Sequence, residues 1–205
     1  MQLMAAIMLV GALSSHWGSL NNSEGHRVAY VHMKGVYVSL PGVVAKDYAW
    51  SDAVNDCSGD YCDKVKSAKT DFTATLYIYF VCIAIDIIVW FFGDVAWKFQ
   101  EVASIHSKRR LIGWITAITS LVFMIVRTAC FIACWSSSKN VMSALASELG
   151  STGYSQPSLQ TAEGIMFLCL LFNLLSVGMY FWALCLHTRE KASKPVGIDA
   201  RYTLA

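Results

Sequence analysis

Apolar residues in this chain are gathered into long blocks instead of recurring with the period of one amphipathic face. Residues 1–23 contain no Asp, Glu, Lys or Arg; residues 72–92 contain only Asp86, residues 111–135 only Arg127, and residues 164–186 none. A nearly uncharged helical run of about 18 residues or more is long enough to cross a hydrocarbon core of about 30 Å. The pattern therefore predicts an all-α membrane protein, a four-helix transmembrane bundle with spans at 1–20, 72–97, 111–135 and 163–187. The first block has a second reading. Its strongly apolar part, residues 3–13, also fits the h-region of a signal peptide with small residues near positions 12–15, which would leave three spans. The missing basic n-region favours a retained span.

Between the blocks, the first connection, 21–71, is the one long enough to form a small domain outside the membrane. Residues 27–40 are rich in β-branched and aromatic side chains on both sides of Lys34-Gly35, the composition of a hairpin. A polar, Asp-rich stretch follows at 46–69, containing Trp50, Cys57 and Cys62. The connection at 136–162 reads as a loop, with a helical turn at 141–149. Lys108, Arg109 and Arg110 abut the third span, and Arg189, Lys191 and Lys194 open the tail. Basic residues near span ends stay on the cytoplasmic side. The connection at 98–110 and the tail at 188–205 are thus expected in the cytoplasm, with the first and third connections outside.

The chain is 56% hydrophobic and 15% charged, with a formal net charge of +2. That is more apolar side chain than one soluble domain hides, and too little positive charge to point to nucleic acid. Of seven cysteines, Cys57 and Cys62 share the first connection at a spacing compatible with a disulfide across a tight turn. Free thiols are the alternative if the loop faces a reducing compartment; a zinc site would need ligands that the pattern does not provide. Cys82, Cys130, Cys134 and Cys169 fall within spans and read as small packing residues. Cys185, at the cytoplasmic end of the last span, is a candidate for lipidation. No nucleotide, zinc-protease or serine-hydrolase motif is present, and none of the five histidines lies mid-span as a haem ligand would. No cofactor, metal or catalytic residue is expected. Trp17, Tyr77, Trp97, Trp114, Trp135 and Trp182 fit interfacial belts.

Asp86, Arg127 and Asn173 are the polar residues that hydropathy does not explain. A charge at the centre of a span costs about 2.5–3.5 kcal/mol on insertion scales, so it is paired, snorkelling or functional. Asp86 and Arg127 sit on neighbouring spans. If the second helix runs to Trp97, they lie about 17 Å and about 24 Å from the inner boundary, a gap that a long Arg side chain can close. If it ends at Phe92, they stand about 15 Å apart in depth. Three readings stay open: an ion pair, an Arg127 that snorkels outward past Phe131 beside a neutral Asp86, and a transport or catalytic role.

Four spans, a strand-like first outer loop, and Trp50 followed there by Cys57 and Cys62 form an outline that resembles the claudin, PMP22 and amastin-like tetraspan superfamily. Ser15-His16-Trp17 after the first span, Cys134-Trp135-Ser136-Ser137 after the third, and Lys69 before the second add to it. The Gly-Leu-Trp triplet of claudins is absent, and the cysteine spacing is nearer that of amastins. The resemblance implies a left-handed four-helix bundle bearing a small extracellular β-sheet formed by the first loop. It also implies a role in adhesion, barriers or surface coats, or as an accessory channel subunit. The expected partners are the lipid bilayer and other membrane proteins, including further copies of the chain. Contact would run through Tyr37, Tyr48 and Trp50 of the loop, most naturally at the plasma membrane. The rival expectation is a supernumerary subunit of a larger membrane complex, such as an organellar one. For topology, reporters at the C terminus and within 98–110 are expected on the cytoplasmic side and tags in the first and third connections on the other, as read by protease protection.

Overall fold

A computed structural model of the protein describes residues 2–40, 44–57, 59–98, 106–150, 153–156 and 160–193. Helix α1 (Gln2–Leu13) leads into four strands, β1 (Gly18–Asn21), β2 (Arg27–His32), β3 (Gly35–Val38) and β4 (Lys46–Ala49). A short α2 (Trp50–Asp56) and three long helices follow, α3 (Gly59–Lys98), α4 (His106–Glu148) and α5 (Thr161–Ser193). The strands form one antiparallel sheet in sequence order.

Three helices are long and apolar enough to cross a membrane, within Gly59–Phe91, Gly113–Glu148 and Thr161–Trp182. Their outer faces carry half-exposed Phe80, Ile88, Ile118, Ile125, Leu174 and Met179, surface that only lipid or an apolar partner would cover. Helix α1 is too short for a span: 12 residues rise about 18 Å. It nevertheless packs against α3 and α5, while α4 packs against the same two helices, so four helices close into a ring. Within α1, Ala5, Leu9 and Ala12 are buried and Leu3, Ile7 and Val10 face outward.

Several boundaries differ from the hydropathy reading. The first apolar block does not stay helical to residue 20: α1 ends at Leu13, and Gly18–Asn21 becomes the sheet's first edge. Helix α3 begins at Gly59, and α4 runs unbroken to Glu148 through the expected loop, so both helices outrun the bilayer. The 40 residues of α3 rise about 60 Å, twice a hydrocarbon core. Polar helix ends therefore extend past the apolar stretches and carry the sheet. Residues 99–105 of the expected second connection and 194–205 of the tail lie outside the described residues.

Aromatic side chains mount the sheet on the helices. Trp17, expected in an interfacial belt, is fully buried, and its indole N–H donates to the Ala12 carbonyl at 3.1 Å. Phe72 of α3 meets Trp17 edge-on at 5.8 Å and stacks with Trp50 at 5.3 Å. The inner sheet face adds Leu20, Ala29, Val31 and Val36, all buried. At the far edge of the bundle the chain turns from α2 into α3 through Gly59 at φ +64°, a left-handed conformation suited to glycine. The Cys57–Cys62 disulfide, with Cα atoms 5.0 Å apart, joins the end of α2 to the first turn of α3.

Gly35 opens β3 opposite Ala49, and a Cβ there would run into the carbonyl oxygen of Tyr48. Gly35→Ala is expected to loosen the β3–β4 pairing and lower stability by about 2 kcal/mol, read as thermal unfolding in detergent. Gly164→Ala on α5, where a Cβ meets nothing within 4 Å, should leave the transition in place.

Candidate functional site

Two places concentrate polar chemistry: a cluster inside the bundle and the outer face of the sheet. In the first, the α3, α4 and α5 helices converge on the Arg127 side chain, which is 1% exposed. Its Nη2 donates to Asp86 Oδ2 at 2.5 Å and to the Cys82 carbonyl at 3.2 Å. Its Nη1 donates to Asn173 Oδ1 at 2.8 Å, and Asn173 passes the chain on by donating to the Cys169 carbonyl at 3.0 Å. The Tyr79 hydroxyl, on α3, donates to the Arg127 main-chain carbonyl at 3.4 Å.

Of the three sequence readings of these residues, the geometry is that of the ion pair. Outward snorkelling is corrected, and helix registry gives the reason. Asp71 and Ser137 are hydrogen-bonded near the sheet end of α3 and α4. Counted from that level at 1.5 Å per residue, Arg127 lies about 15 Å down and Asp86 about 22 Å down. The guanidinium therefore reaches away from the nearer surface, toward the carboxylate. Opposite charges that meet in a low-dielectric interior, with further hydrogen bonds around them, neutralise one another without either having to reach water.

Comparison of the chain with protein-family models, curated proteins and solved structures found no match. The residues themselves carry the functional argument. Among the described residues, no group of three or more His, Cys, Asp or Glu side chains is placed to hold a metal ion. A crevice of about 130 Å³ at the sheet end, between α3 and α4, is lined by Asp63, Lys64, Ser67, Ser137 and Asn140.

On the sheet, the three residues expected to make contacts separate. Trp50 is a correction: it is 5% exposed, and its indole donates to the Met33 carbonyl at 3.0 Å, because it opens α2 directly over Phe72. Tyr48 is half-buried beneath the Lys46 ammonium, 4.3 Å from its ring centre. Tyr37 lies on the outer face, stacked on Tyr30 at 4.7 Å. Around this stack stand His16, Arg27, His32 and Asp47, which hydropathy and spacing did not bring together. The period-2 alternation in 27–32 was the available signal, since it sets Ala29 and Val31 inward and Tyr30 and His32 outward. Arg27 Nη1 lies 3.2 Å from His16 Nδ1. Burial, then the charge of Arg27, then His32 lower the His16 pKa, which keeps Nδ1 free to accept from Arg27. Cys185 is exposed on α5 beyond the last apolar window.

Breaking one side of the interior pair leaves a buried charge uncompensated. Asp86→Asn and Arg127→Gln are each expected to destabilise the bundle by about 3 kcal/mol, with the double variant losing clearly less than their sum. Unfolding in detergent by denaturant or heat, over all four members of the cycle, measures the coupling; strict additivity would mean that the two groups do not interact.

Proposed function

We propose that the chain is a multi-pass membrane interaction protein whose lipid-embedded bundle presents the sheet at the cell surface. In this reading α1 is a fourth, shorter membrane segment, on the plan that the resemblance to claudin, PMP22 and amastin-like proteins implies. The observation that carries the proposal is the division of polar groups. Inside the bundle, Asp86 and Asn173 both face Arg127 and are occupied by it. At the sheet end, Arg27, Tyr30, His32, Tyr37 and Asp47 form one contiguous, partly exposed cluster on the outer sheet face. Interior polarity then serves to fix helix positions, and the sheet serves to meet partners.

Two independent features support an outward-facing sheet. A disulfide forms and persists on the oxidising side of a membrane, and Cys57–Cys62 sits at the sheet end. Lys108–Arg110 and Arg189–Lys191 belong to the opposite helix ends, as the retention of basic residues in the cytoplasm requires. The second reading, a subunit of a larger complex, is favoured by the broad apolar flanks of α3, α4 and α5, which partner helices could cover as well as lipid.

An epitope tag in the β1–β2 turn at Gly25, where nothing lies within 4 Å, is expected to be labelled on intact cells. Native gels after mild extraction are expected to give self-associated species or substoichiometric partners. A single large complex of constant composition would instead establish the subunit reading.

A further inference from the structure

The outer sheet face has an order that the bundle does not use. By strand register Tyr30, Tyr37 and Asp47 stand in one row across β2, β3 and β4. The two tyrosines stack face to face across the strands, with ring centres 4.7 Å apart and an interplanar angle of 17°, so the middle of the row presents ring edges outward. At the β1 side, the Arg27 guanidinium lies 6.0 Å over the Tyr30 ring and bonds His16. On the open edge strand, Asp47 is held by His32 at 2.8 Å and remains 59% exposed. The row thus carries a cation at one end, a tyrosine stack in the middle and an anion at the other end. Glu24 and Lys34 occupy the hairpin turns, off the row.

We infer that this face is a self-recognition surface on which a second copy of the chain docks, an inference that rests on the interaction reading above. A two-fold axis lying in the interface, parallel to the strands and over the tyrosine stack, exchanges the two ends of the row. Arg27 of each protomer then faces Asp47 of the other, and the edges of the tyrosine stacks meet between them. A partner of one charge sign would match one end and be repelled by the other. A second copy supplies the same pair in reversed order, so both ends are matched at once. Tyrosine and arginine are also the residue types that dominate contact energies at interfaces.

The test uses the full chain carrying either of two epitope tags, co-expressed in pairs and co-isolated in mild detergent. Wild-type copies are expected to co-isolate. Arg27→Asp alone and Asp47→Arg alone should each lower co-isolation about tenfold, because like charges then face each other twice. When the two single variants are co-expressed, every Asp at one site meets an Arg at the other, and association should return. A folding defect in either variant would persist in that mixture, so recovery separates recognition from misfolding; retention of the Cys57–Cys62 bond checks the sheet independently. Wild-type copies that do not associate, single variants that associate normally, or a mixture that stays apart would each overturn the inference. Normal association of the single variants would leave the interaction reading intact through another surface, whereas a constant-composition large complex would remove that reading itself.

Discussion

The Arg127–Asp86 ion pair is the constraint around which the bundle is organised. A guanidinium in the hydrocarbon region has few routes to neutrality, and here it is met from two helices at once, by Asp86 on α3 and Asn173 on α5. Those contacts bind three helices at one level, where lipid-facing apolar packing alone has little preference for one registry over another. The short α1 reaches the neighbourhood of the same level: the Cys169 thiol, one turn from Asn173, donates to the Ala5 carbonyl at 3.4 Å. Small buried residues at that contact let α1 approach closely, as helix interfaces in membranes commonly require.

With the interior polarity enclosed, the other end of the molecule follows from helix length. α3 and α4 continue past the apolar windows, so the sheet rests on protein instead of lipid. Phe72 holds Trp17 and Trp50 on one side of the sheet, and Ser138 on α4 donates to the Trp17 carbonyl at 3.0 Å. A bridge between Asn21 and Ser155 covers the β1 edge. The β4 edge remains exposed, and it is blunted by its four-residue length and by Lys46 and Asp47. The headpiece is therefore a supported platform whose inner face is consumed by packing. Its outer face is covered at β1, where Ser19 donates to Gln160, and partly exposed across β2 to β4.

Much of this was legible from the chain alone, for a reason that lies in the solvent. A bilayer forces backbone hydrogen bonds to be made within each segment, so apolar length by itself announces the long helices. The hairpin was legible because its alternation and its Lys34-Gly35 turn are local, and the Cys57–Cys62 bond because its partners are five positions apart. Asp86, Arg127 and Asn173 were visible as exceptions to hydropathy, since an unexplained charge is costly there.

What the sequence by itself determined was thus what neighbours along the chain set: long apolar helical segments, a strand-rich insertion, a cysteine pair spaced for a disulfide and the identity of the intramembrane polar residues. Only the tertiary structure decided that residues 18–21 leave the first apolar block to edge a sheet, because there protein buries Leu20 and Gln160 satisfies the Ser19 hydroxyl. It alone decided that Trp17 and Trp50 face Phe72 instead of water or headgroups. It alone decided that Arg127 turns inward to Asp86, since that choice depends on the relative heights of two helices separated by a long connection. Hydropathy measures the cost of exposing a side chain; which other side chain relieves that cost is set by packing at long range.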